Sequence, residues 1–185
     1  MKKNIIFVIG GCRSGKSFFA LNQANKVETN RVEKNKYFIA TSVPSDSEME
    51  KRVEKHQKER GEGWHTIEEP VRIHEKINQY SPEAGVILVD CLTLWAANLL
   101  FHSYDQAQID GAIKHLENSL EQCGCPVFLV SNEVGTGIVP ENKLARQFRD
   151  IAGFVNQRIA KIADKVVMMV AGIDVQIKPR PHRSN

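Results

Sequence analysis

The run Ile5-Ile6-Phe7-Val8-Ile9 passes directly into Gly10-Gly11-Cys12-Arg13-Ser14-Gly15-Lys16-Ser17, and no other segment restricts the chain so strongly. The octapeptide has the spacing G-x-x-x-x-G-K-[ST], set after an apolar strand-like run and before an amphipathic stretch. Gly10 and Gly15 let the backbone turn so that successive N–H groups point at phosphate oxygens. The positive end of the following helix adds to that field. In such a loop Lys16 reaches the β- and γ-phosphates of a nucleoside triphosphate, and the Ser17 hydroxyl ligates Mg²⁺. The alternative is a glycine-rich strand-to-helix turn that holds no ligand.

Apolar runs recur between helical stretches along the rest of the chain, which is the sequence form of a βαβ architecture. Strands are expected over residues 5–9, 37–40, 86–89, 127–130 and 166–170, with a short one holding His65 after Trp64. Several are apolar on consecutive positions, as in a parallel sheet covered on both faces. Residues 166–171, Gly172 and 175–177 read as a hairpin, which makes the last strand an antiparallel edge. Helices are expected over 17–27, 47–60, 71–79, 92–101, 109–122 and 141–163, with Gly153 marking a bend or a break in the last. The class is α/β, in one domain over residues 1–178 followed by a basic tail over 179–185.

Composition narrows the function classes. A formal charge of +3 and a pI near 8.7 fall short of a nucleic-acid-binding signature. The spacing of Cys12, Cys91, Cys123 and Cys125 matches no zinc pattern, and a chain of 185 residues needs no disulfide staples, so reduced thiols in a cytoplasmic protein are expected. The apolar run after Lys2-Lys3 is too short for a signal peptide, and no stretch approaches the roughly 18 apolar residues of a membrane span.

A phosphate loop needs an acid at the end of a neighbouring strand to hold the metal or its waters, and Val86-Ile87-Leu88-Val89-Asp90 supplies one. The competing reading makes Asp90 the cap of the helix beginning near Leu92. On the charged stretch 48–60, Met49, Val53, His56 and Arg60 share a helical face too thin in apolar residues to bury His56 deeply. By spacing alone a solvated surface histidine is the default there. His65, His74, His102, His115 and His182 form no metal-ligand spacing. The segment 131–142 leaves the carboxyl end of a strand, where open α/β sheets bind ligands, and turns Asn132 and Glu133 toward the crevice. The helix beyond it carries Arg146, Arg149, Asp150, Asn156 and Gln157. These residues leave three classes open: a small-molecule kinase, a motor or regulatory ATPase, and a nucleotide-binding interaction module.

Together these stretches resemble the bifunctional adenosylcobinamide kinase/adenosylcobinamide-phosphate guanylyltransferase family. The similarity runs from Ile5 to about Lys178 and is densest over Asn132-Glu133-Val134-Gly135-Thr136-Gly137-Ile138-Val139-Pro140-Glu141-Asn142. It continues through Arg146, Phe148-Arg149-Asp150, Gly153 and Asn156-Gln157, and includes Gly10 to Ser17, Ile39-Ala40-Thr41-Ser42 and the series Arg52, His56, Arg60, Trp64, Glu68. The resemblance implies a P-loop NTPase fold of RecA-like type, a three-layer sandwich. It implies phosphorylation of adenosylcobinamide by ATP or GTP, then transfer of GMP from GTP to adenosylcobinamide phosphate through a guanylylated histidine, here His56. Nucleotide contacts carry over to Gly10, Gly11, Cys12, Arg13, Ser14, Gly15, Lys16 and Ser17, to Ala40, Thr41 and Ser42, to Gln57, Lys58, Glu59 and Arg60, and to Glu68 and Asp90. Mg²⁺ would sit on Ser17 and Asp90, and the family suggests a homotrimer. Gly61 stands where a proline is frequent in the family, and Asp90 where a glutamate also occurs.

Overall fold

Strands that are apolar at every position have no face to offer water, so they must be sandwiched. The computed structural model describes residues 4–27, 35–42, 61 and 63–179. It places the strands β1 (Ile5–Gly10), β2 (Asn35–Ala40), β3 (Trp64–Glu68), β4 (Ala84–Asp90), β5 (Val127–Asn132), β6 (Lys165–Val170) and β7 (Ile173–Lys178) in one sheet, ordered β3-β2-β4-β5-β1-β6-β7. All neighbours pair in parallel except β6 and β7. The helices described are α1 (Lys16–Asn25), α2 (Ile73–Tyr80), α3 (Leu92–Phe101), α4 (Gln106–Gln122) and α5 (Lys143–Ile162).

Right-handed crossovers decide which face each helix covers. The connection from β1 to β2 runs toward one edge of the sheet, and α1 lies on one face, packing Ala20, Leu21 and Ala24 on Ile6, Val8, Leu88 and Val130. The connections through α2, through α3 and α4, and through α5 all run the other way. Those four helices accordingly share the opposite face, around Phe7, Ile39, Ile87, Val89 and Leu129. Ile151, Val155 and Ile159, four apart on α5, are buried in that layer, and each such side chain contributes about 1.5–3 kcal/mol.

Caps set several helix starts that periodicity placed a few residues off. Asp105 and Gln108 form a reciprocal capping box, so α4 begins at Gln106 rather than 109. The Asn142 side chain accepts from the Ala145 amide and starts α5 at Lys143. Of the bend or break expected at Gly153, the break does not occur: α5 is helical throughout, because the buried stripe on both sides of Gly153 outweighs the roughly 1 kcal/mol cost of a helical glycine. The hairpin is present, and Ala171 (φ 50) and Gly172 (φ 83) give it the two left-handed residues of a type I′ turn. No disulfide links the four cysteines. None of the described helices is long and apolar enough to cross a membrane.

Where α2 meets α4, the rings of His74 and His115 lie 5.2 Å apart, and His74 Nδ1 is buried without a hydrogen-bond partner among the described residues. Burial first, then the charge of His115, lowers the His74 pKa below its ordinary 6.5; Arg72 acts in the same direction, and Glu75 and Glu69 oppose it. Below pH 6.5 the unfolded chain binds a proton that folded His74 resists, so this contribution to stability is present above that pH and is lost as pH falls toward the folded pKa. The urea midpoint should therefore drop between about pH 7.5 and about pH 5.5, and His74→Gln should flatten the drop. An unchanged slope in that variant would assign the effect to other groups.

Candidate active site

The site is assembled at the carboxyl ends of β1, β4 and β5. At Gly10 a Cβ would lie 2.6 Å from Met169 O and from Ser14 Oγ, so the strand can leave the sheet here only as glycine. Arg13 (φ 56) and Gly15 (φ 91) take left-handed conformations that curl the loop back. It is closed by Ser14 N donating to Gly11 O at 3.3 Å and braced from behind by Gly172 N donating to Ser14 O at 3.0 Å. The type I′ turn of the hairpin thus supports the phosphate loop. No side chain caps α1, which leaves its first-turn amides free to meet an anion. Lys16 is buried, with Nζ donating to Gly11 O at 3.2 Å, and Ser14 Oγ is buried with no partner among the described residues. Ser17 is half-buried, whereas Cys12 and Arg13 are exposed. A loop with one lysine drawn over it and an unspent hydroxyl within it can hold a chain of phosphates.

Asp90 ends β4, but β5 lies between β4 and β1, so the acid is one strand further from the loop than the expected neighbouring position. The helix-cap reading also fails, because the cap is Cys91, whose Sγ accepts from Leu94 N at 3.4 Å. Burial, and next the charge of Asp90, push the Cys91 thiol up to about 11, while the charge of Lys16 pulls it down.

Thr41 holds the turn after β4. Its hydroxyl donates to Cys91 O at 2.8 Å and accepts from Cys91 N at 2.7 Å, and its amide donates to Asp90 O at 3.2 Å. Thr41 is fully buried and places Asp90 through the backbone. Ala40 is in register with Glu68 and with Asp90, so the three lie side by side at the strand ends. Glu68 is exposed and Ser42 half-buried. Asn98, passed over in the sequence, donates from Nδ2 to Thr41 O at 2.8 Å and to Pro70 O at 3.0 Å. Its signal was present: it is a lone carboxamide in the apolar helix Leu92–Phe101.

β5 supplies the floor. Asn132 is in register with Gly10, and Glu133 N donates to Gly10 O at 3.0 Å. Thr93 Oγ1 lies 3.1 Å from Ser131 Oγ and accepts from Asn132 N at 2.6 Å, another pair that sequence reading missed. From α5, Asn156 Nδ2 donates to Asn132 O at 3.1 Å, Arg149 Nη2 donates to Gly135 O, and Arg146 Nη1 donates to Pro140 O at 3.0 Å. Gln157 faces away, into an outer groove with Glu117 and Arg158. Asp150 is exposed. His56, Gln57, Lys58, Glu59 and Arg60 lie outside the described residues, as does the helix expected over 47–60.

The model of the cobinamide kinase / cobinamide phosphate guanyltransferase family matches residues 6–177. The chain belongs to this family. It is 41% identical over 187 residues to the bifunctional adenosylcobalamin biosynthesis protein CobU of Escherichia coli K12, covering 94% of this chain and 99% of that one. It is 36% identical over 174 residues to the bifunctional adenosylcobalamin biosynthesis protein CobP of Pseudomonas aeruginosa, covering 94% and 97%. A crystal structure of a KaiC-like protein from Pyrococcus horikoshii superposes with a TM-score of 0.53 at 15% identity, over 90% of this chain and 71% of that one. That likeness shows that the chain shares its α/β fold with a KaiC-like protein. In this cobinamide kinase/guanyltransferase, the strands and loop carrying Gly10, Asp90 and Asn132 fall within the matched span.

Proposed function

We propose that the protein catalyses both family reactions in assembling the nucleotide loop of cobalamin: ATP- or GTP-dependent phosphorylation of adenosylcobinamide, then guanylyl transfer from GTP to the product. The observation that carries this reading is the phosphate loop after β1, with Lys16 Nζ drawn onto Gly11 O and Ser14 Oγ unpaired among the described residues, in a chain that the family model matches over residues 6–177. In the first reaction the aminopropanol oxygen forms a bond to the γ-phosphorus, the bond to the β,γ-bridging oxygen breaks, and the hydroxyl proton is released. Lys16 and the loop amides stabilise charge on the β- and γ-oxygens, which is where charge develops. In the second, the His56 imidazole bonds to the α-phosphorus of GTP and pyrophosphate leaves. The phosphate ester oxygen then takes the guanylyl group and frees the imidazole, giving adenosylcobinamide-GDP.

The Ser17 hydroxyl and Asp90 carboxylate are hard oxygen donors, which fit Mg²⁺ better than a soft metal. Bound there with the phosphates, that ion would neutralise charge on their oxygens. Ala40, Ser42 and Glu68 line the strand ends nearest Asp90 and are suited to contact the nucleoside.

Incubation with GTP carrying ³²P at the α position tests the reading: an acid-labile, alkali-stable label on the protein is expected, together with conversion of adenosylcobinamide to its phosphate. Phosphorylation without label would leave a kinase alone, and nucleotide binding without either product would leave a regulator. Family resemblance further favours a homotrimer, and β7 supports self-association by exposing Ile173, Val175 and Ile177 along one edge. Light scattering should give three times the 20.9 kDa chain mass; a monomer would exclude this assembly.

A further inference from the structure

Three buried polar atoms at the β5–α5 crevice have no hydrogen-bond partner among the described residues: Asn132 Oδ1, Asn156 Oδ1 and Arg149 Nη1. Asn156 is only 6% exposed. The three belong to one place. Asn156 reaches the Asn132 carbonyl, and Arg149, seven residues earlier on the same face of α5, reaches Gly135 in the loop that follows Asn132. Asn132 is in register with Gly10, so these atoms lie at the strand end beside the phosphate loop.

Leaving such atoms unpaired costs stability, and each has a defined chemical complement. Two carboxamide oxygens accept and require two donated hydrogens; one guanidinium N–H donates and requires an oxygen. A phosphate group cannot satisfy this set, because near neutral pH it offers acceptors only, and it would face two carboxamide oxygens. An alcohol joined through an amide offers an O–H, an N–H and a carbonyl oxygen, which is the required two-to-one complement.

We propose that Asn132, Asn156 and Arg149 form the subsite for the amide-linked alcohol arm of the phosphoryl acceptor, a proposal that rests on the kinase reading above. The two carboxamide oxygens take the O–H and N–H of the arm, and Arg149 Nη1 donates to its carbonyl. The register of Asn132 with Gly10 then holds the alcohol oxygen next to the phosphates on the loop. The product ester has lost the O–H, so the subsite grips the alcohol better than its phosphate.

The test is steady-state kinetics of adenosylcobinamide phosphorylation by the full-length protein and by Asn156→Ala and Arg149→Lys. Loss of one buried hydrogen bond should raise the acceptor KM about tenfold in each variant while the nucleotide KM stays within about twofold. Arg149→Lys keeps the charge but loses the second donor arm, and it decides the matter if Asn156→Ala does not fold. Wild-type turnover with both KM values unchanged in the folded variants would overturn the subsite alone. So would parallel rises in the two KM values, which mark general damage to the site. A wild-type protein that does not phosphorylate adenosylcobinamide would overturn the kinase reading and this subsite with it.

Discussion

Lys16→Ala should lower the rate of triphosphate use by at least about a hundredfold and leave the protein folded at room temperature. The lysine is the one charged group of the loop that is drawn inward, buried with its Nζ on Gly11 O, whereas Arg13 stands in solvent. Its ammonium therefore meets phosphate oxygens in a poorly solvated place, where a charge has far more effect than in water. Truncation removes one hydrogen bond inside the loop, but not the Gly172-to-Ser14 brace or the packing of α1 through Ala20, Leu21 and Ala24. Steady-state rates beside circular dichroism separate the two effects. Unfolding of the variant would assign Lys16 a structural role instead.

His56→Ala should reduce covalent guanylylation to background while the variant still passes a γ-phosphoryl group to adenosylcobinamide. The two steps break different bonds of the triphosphate, and a nucleophilic imidazole is needed only for the one at the α-phosphorus. Near pH 7 an unperturbed imidazole is largely neutral, so its ring nitrogen is free to attack. Lys55, Lys58 and Arg60, its neighbours in the chain, can stabilise the charge that develops on the phosphates. The described histidines are poor substitutes: His65 on β3 lies against the Tyr37 ring of β2, His102 closes the carboxyl end of α3, and His74 and His115 pair with each other in the helical layer. Persistence of the label in His56→Ala would place the nucleophile elsewhere and withdraw His56 from the mechanism.

Much of this was legible in the chain because it is written in local patterns. The spacing from Gly10 to Ser17 and the apolar run before it name a phosphate loop between a strand and a helix, and the structure has β1 and α1 there. Consecutive apolar residues in 86–89 and 127–130 declared buried parallel strands, since such a segment has no side to give to water. The antiparallel edge was visible in the short turn around Gly172.

Other features depended on contacts between residues far apart in sequence. The position of Asp90 beyond β5 follows from strand order, which no local pattern encodes. Thr41 is marked only by the family resemblance, as a nucleotide contact, and Asn98 not at all; the sheet brings Thr41 onto Cys91, fifty positions on, and α3 brings Asn98 onto Thr41. The unpaired atoms of Asn132, Asn156 and Arg149 exist only once α5 is packed against the end of β5. The sequence by itself determined the phosphate loop, the sheet's strands and the family, because backbone turning, burial and helix starts act over a few residues. Only the tertiary structure decided which side chains share the site and which polar atoms are left for a ligand, because burial and hydrogen-bond satisfaction depend on the whole packed chain.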